Sequence, residues 1–255
     1  MDDLCLSKSI RSFSGFVAEG CGVDLYDYQL LPAQAVLESV RLGQGLTFVL
    51  NFPRQSGKDE LLAHLQAYLM RMSNDKDRTI LEVNSNLENH RIALWRLEER
   101  LSSNVFTRSR WARLGDTVAI DKCRTTFLPA DGVPDGKVAP ASLLFIVNDA
   151  QDIWPAWFDM EFSHLAARPK LTRLVCGSSW DEQSLLSREI RHARRDEDKD
   201  GIQRLFRITA LDVGKENQNY ANFIDDVVQR YGRENPLVKT QYFSEEVDAE
   251  ILKNA

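Results

Sequence analysis

The chain predicts an α/β fold of three layers, with a mainly parallel central sheet and a helical C-terminal extension. Three observations carry this. Short apolar runs at Thr47 to Leu50, Thr79 to Val83, Leu143 to Val147 and Leu171 to Cys176 have the length and β-branching of strands buried on both faces. Between the first two, Leu61, Leu62, Leu65, Leu69 and Met72 recur with a period near 3.6, which makes an amphipathic helix. The tail from Tyr220 to Val247 also has helical character, broken at Asn235-Pro236.

The remaining elements follow in chain order. Leu87 to Leu101 predicts a helix with Leu94, Leu97 and Leu101 inward and its Arg and Glu residues outward. Arg108, Arg110 and Arg113 crowd an expected loop around Trp111, and Thr117 to Ile120 pairs with Arg124 to Leu128 as short strands. Asp131-Gly132-Val133-Pro134-Asp135-Gly136 is rich in turn formers. A helix is expected from Gln183 to Ile190, and Gln203 to Thr209 alternates like a last strand. The expected division is an N-terminal segment 1–22, a core 23–215 and a helical C-terminal region 216–255.

A chain of 255 residues, 43% hydrophobic and 27% charged, has enough material for a large core and one or two domains. No run approaches the roughly 18 apolar residues of a membrane span, and Asp2 and Asp3 stand where a secretory signal carries Lys or Arg. A cytoplasmic protein is expected. Cys5, Cys21, Cys123 and Cys176 lack metal-ligand or disulfide-framework spacing, so free thiols are expected. The net charge of -6 excludes a globally basic nucleic-acid binder. Contact with DNA then falls to local patches, namely Arg188, Arg191, Arg194 and Arg195, or the arginines around Trp111. For each patch a solvated face is the equal alternative.

The most informative stretch is Thr47 to Asp59, a buried strand feeding a turn that opens a helix. Free N–H groups and the dipole at that helix N-terminus favour an anion. Gly57 lets the backbone close on phosphates, and Lys58 reaches the β- and γ-oxygens as a point charge. The usual phosphate-loop pattern has a glycine where this chain has Phe52, and a metal-binding hydroxyl where it has Asp59. The alternative is a plain helix start with Asp59 and Glu60 in its first turn. In a P-loop sheet a second strand ends in a carboxylate that positions Mg2+, followed by an acid that orients the attacking water. Leu143 to Asp152 has that shape, with Asn148 at the metal position and Asp149 at the acid position. A turn and helix cap is the alternative there. A third strand, Leu171 to Cys176, ends in Gly177-Ser178-Ser179-Trp180. Its hydroxyls suit a γ-phosphate, or else Ser179 or Asp181 caps the next helix.

Together these residues resemble the ATPase domain of tailed-bacteriophage large terminases, the motors that package DNA. The resemblance rests on Phe52 to Lys58, on Ile146 to Asp152, on Gly177-Ser178-Ser179-Trp180-Asp181, on Leu25-Tyr26-Asp27-Tyr28-Gln29, and on Asn235 to Tyr242. It covers roughly residues 20 to 247, and its specificity lies in motif order and spacing. It implies an ASCE-like P-loop NTPase with ATP and Mg2+ as cofactors. It also implies that Arg54, Gln55, Ser56, Gly57, Lys58, Asp59 and Glu60 surround the phosphates, with Arg54 touching the γ-phosphate. By the same resemblance Gln29 reads the adenine edge, Tyr28 stacks on the ring, and Ser178 and Ser179 contact the γ-phosphate. Asp59, Asn148 and Asp149 organise the metal, and Asp149 orients water. The implied partners are double-stranded DNA held without sequence readout, a portal, a small terminase subunit and further copies in a ring, with a monomer expected in isolation.

Three departures bear on activity: Asp59, Asn148 and Asp149 replace a hydroxyl, an aspartate and a glutamate. Either the first two compensate, with a carboxylate moved from the strand end to the loop, or hydrolysis has weakened while nucleotide binding remains. In the second case the chain is a nucleotide-binding assembly module. A helicase-like translocase is a further alternative, weakened by the lack of a second ATPase lobe. No cluster of nuclease carboxylates precedes Ala255, so DNA cleavage is not expected of this stretch.

Overall fold

The computed structural model describes residues 11–132, 138–179 and 181–248. Cys5, Trp180 and the Val133 to Gly136 part of the expected loop lie outside the described residues. Eight strands form one sheet: β1 (Thr47–Asn51), β2 (Arg78–Asn84), β3 (Trp111–Leu114), β4 (Thr117–Ile120), β5 (Cys123–Pro129), β6 (Leu144–Asn148), β7 (Thr172–Gly177) and β8 (Leu205–Arg207). Their order is β3-β4-β5-β2-β6-β7-β1-β8. Every pairing from β5 to β8 is parallel, and β4 alone runs against the rest, antiparallel to both of its neighbours β3 and β5. The four apolar runs of the sequence are thus the central strands β1, β2, β6 and β7.

One expectation fails at the edge. The loop expected around Trp111 contains β3, which pairs with β4 through a tight turn at Gly115, where φ is 61°. Four residues with three of them exposed leave no periodic signal to read.

The helices are α1 (Phe13–Cys21), α2 (Asp27–Leu42), α3 (Lys58–Met72), α4 (Leu87–Ser103), α5 (Pro155–Glu161), α6 (Leu185–Asp200), α7 (Ala210–Glu216), α8 (Gln218–Tyr231) and α9 (Pro236–Phe243). Successive residues of a strand face opposite sides, and this divides the core into two layers. Phe48, Leu50, Ile80, Leu144, Ile146 and Leu174 pack on the side of α1 to α4 and the C-terminal helices. Val49, Leu81, Val83, Phe145, Val147 and Val175 pack on the side of α6. All residues from Leu61 to Met70 of α3 are buried. Met72 departs from the expected inward face and is 44% exposed, as the last residue of the helix.

The chain before residue 23 contributes Phe13, Phe16 and Val17 to the first core layer, with Phe16 stacked on Phe106 and edge-on to Tyr68. The C-terminal helices add Tyr220, Ile224, Val238 and Phe243 to the same layer. Helix α6 begins two residues later than expected, and its cap is Ser184, whose hydroxyl accepts from Ser187 N at 3.2 Å. Neither Ser179 nor Asp181 caps it. Among the described residues no helix is long and apolar enough to cross a membrane, and Cys21, Cys123 and Cys176 are free.

Candidate phosphate-binding site

The carboxyl ends of β1, β6 and β7 meet at one edge of the sheet, where a parallel α/β fold collects its ligand residues. Between β1 and α3 the loop 52–57 turns sharply, with φ of 62° at Gln55 and 84° at Gly57. A side chain at Gly57 would place its Cβ 2.7 Å from Gln29 Nε2, so this position demands glycine on two counts. Phe52 is fully buried and tilted against Tyr28, an apolar anchor in place of the missing first glycine.

The loop is held from outside through its carbonyls. Tyr28 Oη donates to Ser56 O at 2.9 Å, Gln29 Nε2 to Gly57 O at 3.1 Å, and Tyr220 Oη to Arg54 O at 2.8 Å. Arg54 N in turn donates to Gln241 O at 2.8 Å, which ties α8 and α9 to the loop. With these carbonyls drawn outward, the N–H groups that open α3 have no intrahelical acceptor and face the concavity.

This bracing occupies the two residues expected at the adenine. Tyr28 is 6% exposed and stacks on Tyr26 at 5.4 Å, and Gln29 is 4% exposed. The Gln29 amide is used at both ends, since its Oε1 accepts from Tyr26 N at 3.1 Å in a capping box at the start of α2. Both polar tips support the loop and neither is free to face a base. Gln29→Ala removes both contacts and is expected to cost about 1 kcal/mol, since Gly57 O keeps its bond from Leu61 N at 3.0 Å and the half-buried Tyr26 N–H loses its acceptor. Thermal unfolding of the variant without ligand measures that loss.

Inside the loop, Lys58 is 8% exposed and therefore not the solvent-facing group that a phosphate ligand suggests. Its ammonium donates to Asp59 Oδ1 at 2.9 Å, to Asp149 Oδ1 at 2.8 Å and to Asn148 Oδ1. Burial works against the charge, but the Asp59 and Asp149 carboxylates outweigh it and raise the Lys58 pKa above its usual range. Burial likewise opposes the Asp59 charge, yet Lys58 and the Asn148 amide hold its pKa below the usual carboxylate range. Asp149 sits in the left-handed region at φ 53° and makes no side-chain cap, so its carboxylate turns to Lys58 instead of closing a helix end. A left-handed aspartate is uncommon outside turns.

Behind these groups lies a residue that the sequence did not single out. Glu82 in β2 is 1% exposed and accepts from Gln66 Nε2 at 2.7 Å and from Asn148 Nδ2 at 3.4 Å. Burial, helped by the Asp59 charge, pushes its pKa up to about 7.

A cavity of about 520 Å³ opens over this cluster, lined by Arg54, Gln55, Gly57, Lys58, Asp59, Glu60, Asp149 and Ser178 of the expected site. Ser179 is excluded from it. That residue is 1% exposed and locked to Asn51 at the end of β1, its hydroxyl accepting from Asn51 Nδ2 at 2.6 Å and its N–H donating to Asn51 Oδ1 at 3.0 Å. Ser56 is also buried, with its hydroxyl donated to Pro53 O at 2.6 Å. Gln151 and Asp152 add polar groups that sequence reasoning passed over, as do Asn89 and Arg96 from α4. Gln151 Oε1 accepts from Ser178 N at 3.1 Å, and a Cβ at Gly177 would come within 2.3 Å of that oxygen. A larger cavity, about 650 Å³, lies at the other end of the sheet among Phe13, Leu37, Leu69, Met72, Arg78 and Leu143, away from every residue of the loop 52–57.

Glu60 organises the cavity wall. Its carboxylate meets His64 Nε2 at 3.1 Å, Arg96 Nη1 at 3.1 Å and Arg100 Nε at 3.2 Å. Against the opposing effect of burial, His64, Arg100 and Arg96 bring its pKa down from 4.5 to about 2. A depressed carboxylate contributes stability that is present above pH 4.5 and lost as pH falls toward 2. Glu60→Gln is therefore expected to cost roughly 1–3 kcal/mol at pH 6, with the gap between variant and parent closing as acid melts are taken down through that window.

The arginine patches are partly consumed. Arg188 forms a two-pronged pair with Asp159 at 2.7 and 3.0 Å, and Arg113 pairs with Glu98 at 3.1 Å. Arg191 donates to Glu182 O at 3.1 Å, while Arg194 lines a shallow cavity with Arg207.

The overall fold is that of solved large-terminase ATPase domains. The crystal structure of the HK97 bacteriophage large terminase superposes with a TM-score of 0.73 at 14% identity, covering 93% of this chain and 55% of that one. The Thermus phage P74-26 large-terminase ATPase domain gives 0.68 at 13% identity, covering 90% of this chain and 97% of that one. The large terminase from a thermophilic bacteriophage, in complex with ATP-gamma-S, gives 0.59 at 8% identity, covering 85% of this chain and 51% of that one. This chain thus spans about half the length of the HK97 protein and of the one solved with ATP-gamma-S. No family model and no curated protein matches the sequence.

Proposed function

We propose that the chain is the ATPase unit of a viral DNA-packaging motor, hydrolysing ATP to drive double-stranded DNA. The observation that carries this reading is the convergence of Lys58, Asp59, Asn148 and Asp149 at the strand ends beneath a polar cavity. The fold shared with terminase ATPase domains, one of them in complex with ATP-gamma-S, supports it.

The phosphates sit over the start of α3, where Lys58 and the N–H groups of the loop neutralise the β- and γ-oxygens. Arg54 and Ser178, both on the cavity wall, approach the γ-phosphate. Asp59, Asn148 and Asp149 offer hard oxygen donors, two of them anionic, and they already surround one cation, the Lys58 ammonium. Among the described residues no group of three His, Cys, Asp or Glu side chains forms a metal cage by itself. That donor set suits Mg2+, which keeps several waters and binds through one or two carboxylates plus substrate phosphates. Mg2+ when bound neutralises charge developing on the phosphoryl oxygens. Asp149, released from Lys58 once phosphates take over that lysine, orients the attacking water. Arg194 and Arg195 on α6 grip DNA phosphates without reading bases. A ring of copies, with a portal and a small terminase subunit, completes the motor.

The Asp149–Lys58 contact at 2.8 Å favours a second reading, weak hydrolysis, because the acid must leave a buried ion pair before it can serve water. Nucleotide titration beside steady-state hydrolysis, with and without DNA and across protein concentration, tests both readings. Binding with turnover that rises with DNA or concentration supports the motor. Binding without turnover leaves the assembly module, and no binding overturns the phosphate site.

A further inference from the structure

The asparagine at the end of β6 stands where a metal-binding carboxylate is expected, and its surroundings account for the exchange. Strands β2 and β6 pair in register, with Glu82 opposite Ile146 and Asn84 opposite Asn148. The Asn148 amide nitrogen faces three oxygens: Asp59 Oδ1 at 3.0 Å, Glu82 Oε1 at 3.4 Å and Asn84 Oδ1 at 3.4 Å. Its oxygen faces donors only, namely Lys58 Nζ and, at 3.0 Å, Asp149 N. Such an amide has one orientation that satisfies its neighbours. A carboxylate at the same position would turn one oxygen toward Asp59, Glu82 and Asn84 in a pocket where Glu82 is 1% exposed, a clustering of like charge that buried sites do not tolerate without a partner.

We propose that Glu82 is a positioning residue for the phosphate site: held by Gln66, its buried acceptor fixes the Asn148 amide with the oxygen toward Lys58, so that Asn148 is the required partner of Glu82. The donor–acceptor polarity of the strand pair is reversed relative to an aspartate at the β6 end. The acid lies on β2 and the amide on β6. This inference rests on the reading of the cavity as an ATP site for its effect on nucleotide, though not for the contact itself.

Reversing the polarity tests it. In Glu82→Gln the new amide keeps its oxygen toward Gln66 and turns its N–H groups on the Asn148 N–H groups, which flips Asn148 and aims a donor at Lys58. Asn148→Asp alone sets a carboxylate against Asp59 and Glu82. In the double variant the residue-82 amide donates to the residue-148 carboxylate, an oxygen again faces Lys58, and of the two like charges only Asp59 remains, itself paired with Lys58 at 2.9 Å. Each single variant is expected to lose about tenfold or more in Mg-ATP affinity and the double to recover to within about threefold of the parent, a coupling far outside additivity.

The same cycle is read twice, by thermal melting in EDTA without nucleotide and by Mg-ATP titration with kcat and KM measured in parallel. Non-additive recovery in both readouts supports the proposal. Additive losses in the melts overturn the pairing. Recovery in the melts with no change in nucleotide affinity overturns the positioning role and leaves a structural contact. If the parent protein fails to bind ATP, the motor reading falls and positioning with it, and the melts still decide whether the pair exists.

Discussion

Lys58→Ala is expected to remove ATP binding and also to lower the melting temperature by several degrees. The first effect follows from the loss of the ammonium buried between the loop and the end of β6. The second follows from its neighbours. Asp59 Oδ1, Asp149 Oδ1 and Asn148 Oδ1 all accept from this ammonium, and alanine leaves two carboxylates facing each other across the gap. Their side chains are 39% and 21% exposed, so water entering the open cavity screens part of the repulsion. A loss of about 1–3 kcal/mol remains, which in a chain of this size is a fall of several degrees. Nucleotide titration and melting of the same variant check both parts, and ATP affinity equal to the parent's would refute the phosphate-loop assignment.

That second effect was invisible in the sequence. Gly57-Lys58 after an apolar run and before helical spacing is legible because both the strand and the helix announce themselves locally. The closing of Asp59, Asn148 and Asp149 over the lysine is not legible, since two of them arrive from a strand about ninety residues later in the chain. Glu82 shows the same limit. In the run Thr79 to Asn84 it reads as a polar interruption of a strand, and its meaning lies with Gln66, sixteen residues before, and Asn148, sixty-six after. The hint available was that a carboxylate flanked by Leu81 and Val83 in a strand buried on both faces must find partners.

Tyr28 and Gln29 illustrate a different limit. A Tyr-x-Tyr-Gln segment ahead of a phosphate loop invites a nucleotide role, yet the fold spends both polar tips on carbonyls of Ser56 and Gly57. The sequence held a clue in Gln29 itself, three residues after Tyr26 at a helix start, the spacing of a capping box. Of the two serines after β7, only the structure separates Ser178 on the cavity from Ser179 beneath it, because the choice depends on Asn51 reaching across from β1. The central strands were legible throughout, whereas β3, the helices α1 and α7, and the sixteen-residue α2 were not. Elements of four to nine residues give periodicity too little length to show, and α2 carries Pro32 inside it, which reads as a helix breaker.

The acid at the end of β6 carries the other large effect. Asp149→Asn is expected to lower kcat by about a hundredfold or more, the scale of losing a positioned acid–base group, while ATP affinity changes only a few-fold. The asymmetry follows from the geometry. Asparagine keeps the shape and the left-handed backbone at φ 53°, and it retains an oxygen for Lys58, so the phosphate cradle survives. What it lacks is the charge that draws a proton from water. Asp149→Glu then tells a catalytic acid from a metal ligand. An added methylene moves the carboxylate out of the Lys58 contact at 2.8 Å and into the cavity, so a catalytic acid held back by that ion pair gives a higher kcat with affinity little changed. A metal-ligand role gives weaker Mg-ATP binding and no gain in rate. Unchanged kcat and affinity in both variants would leave Asp149 as a strand-end turn residue and move the search for the catalytic acid to Asp152, which lines the same cavity with its pKa raised by burial.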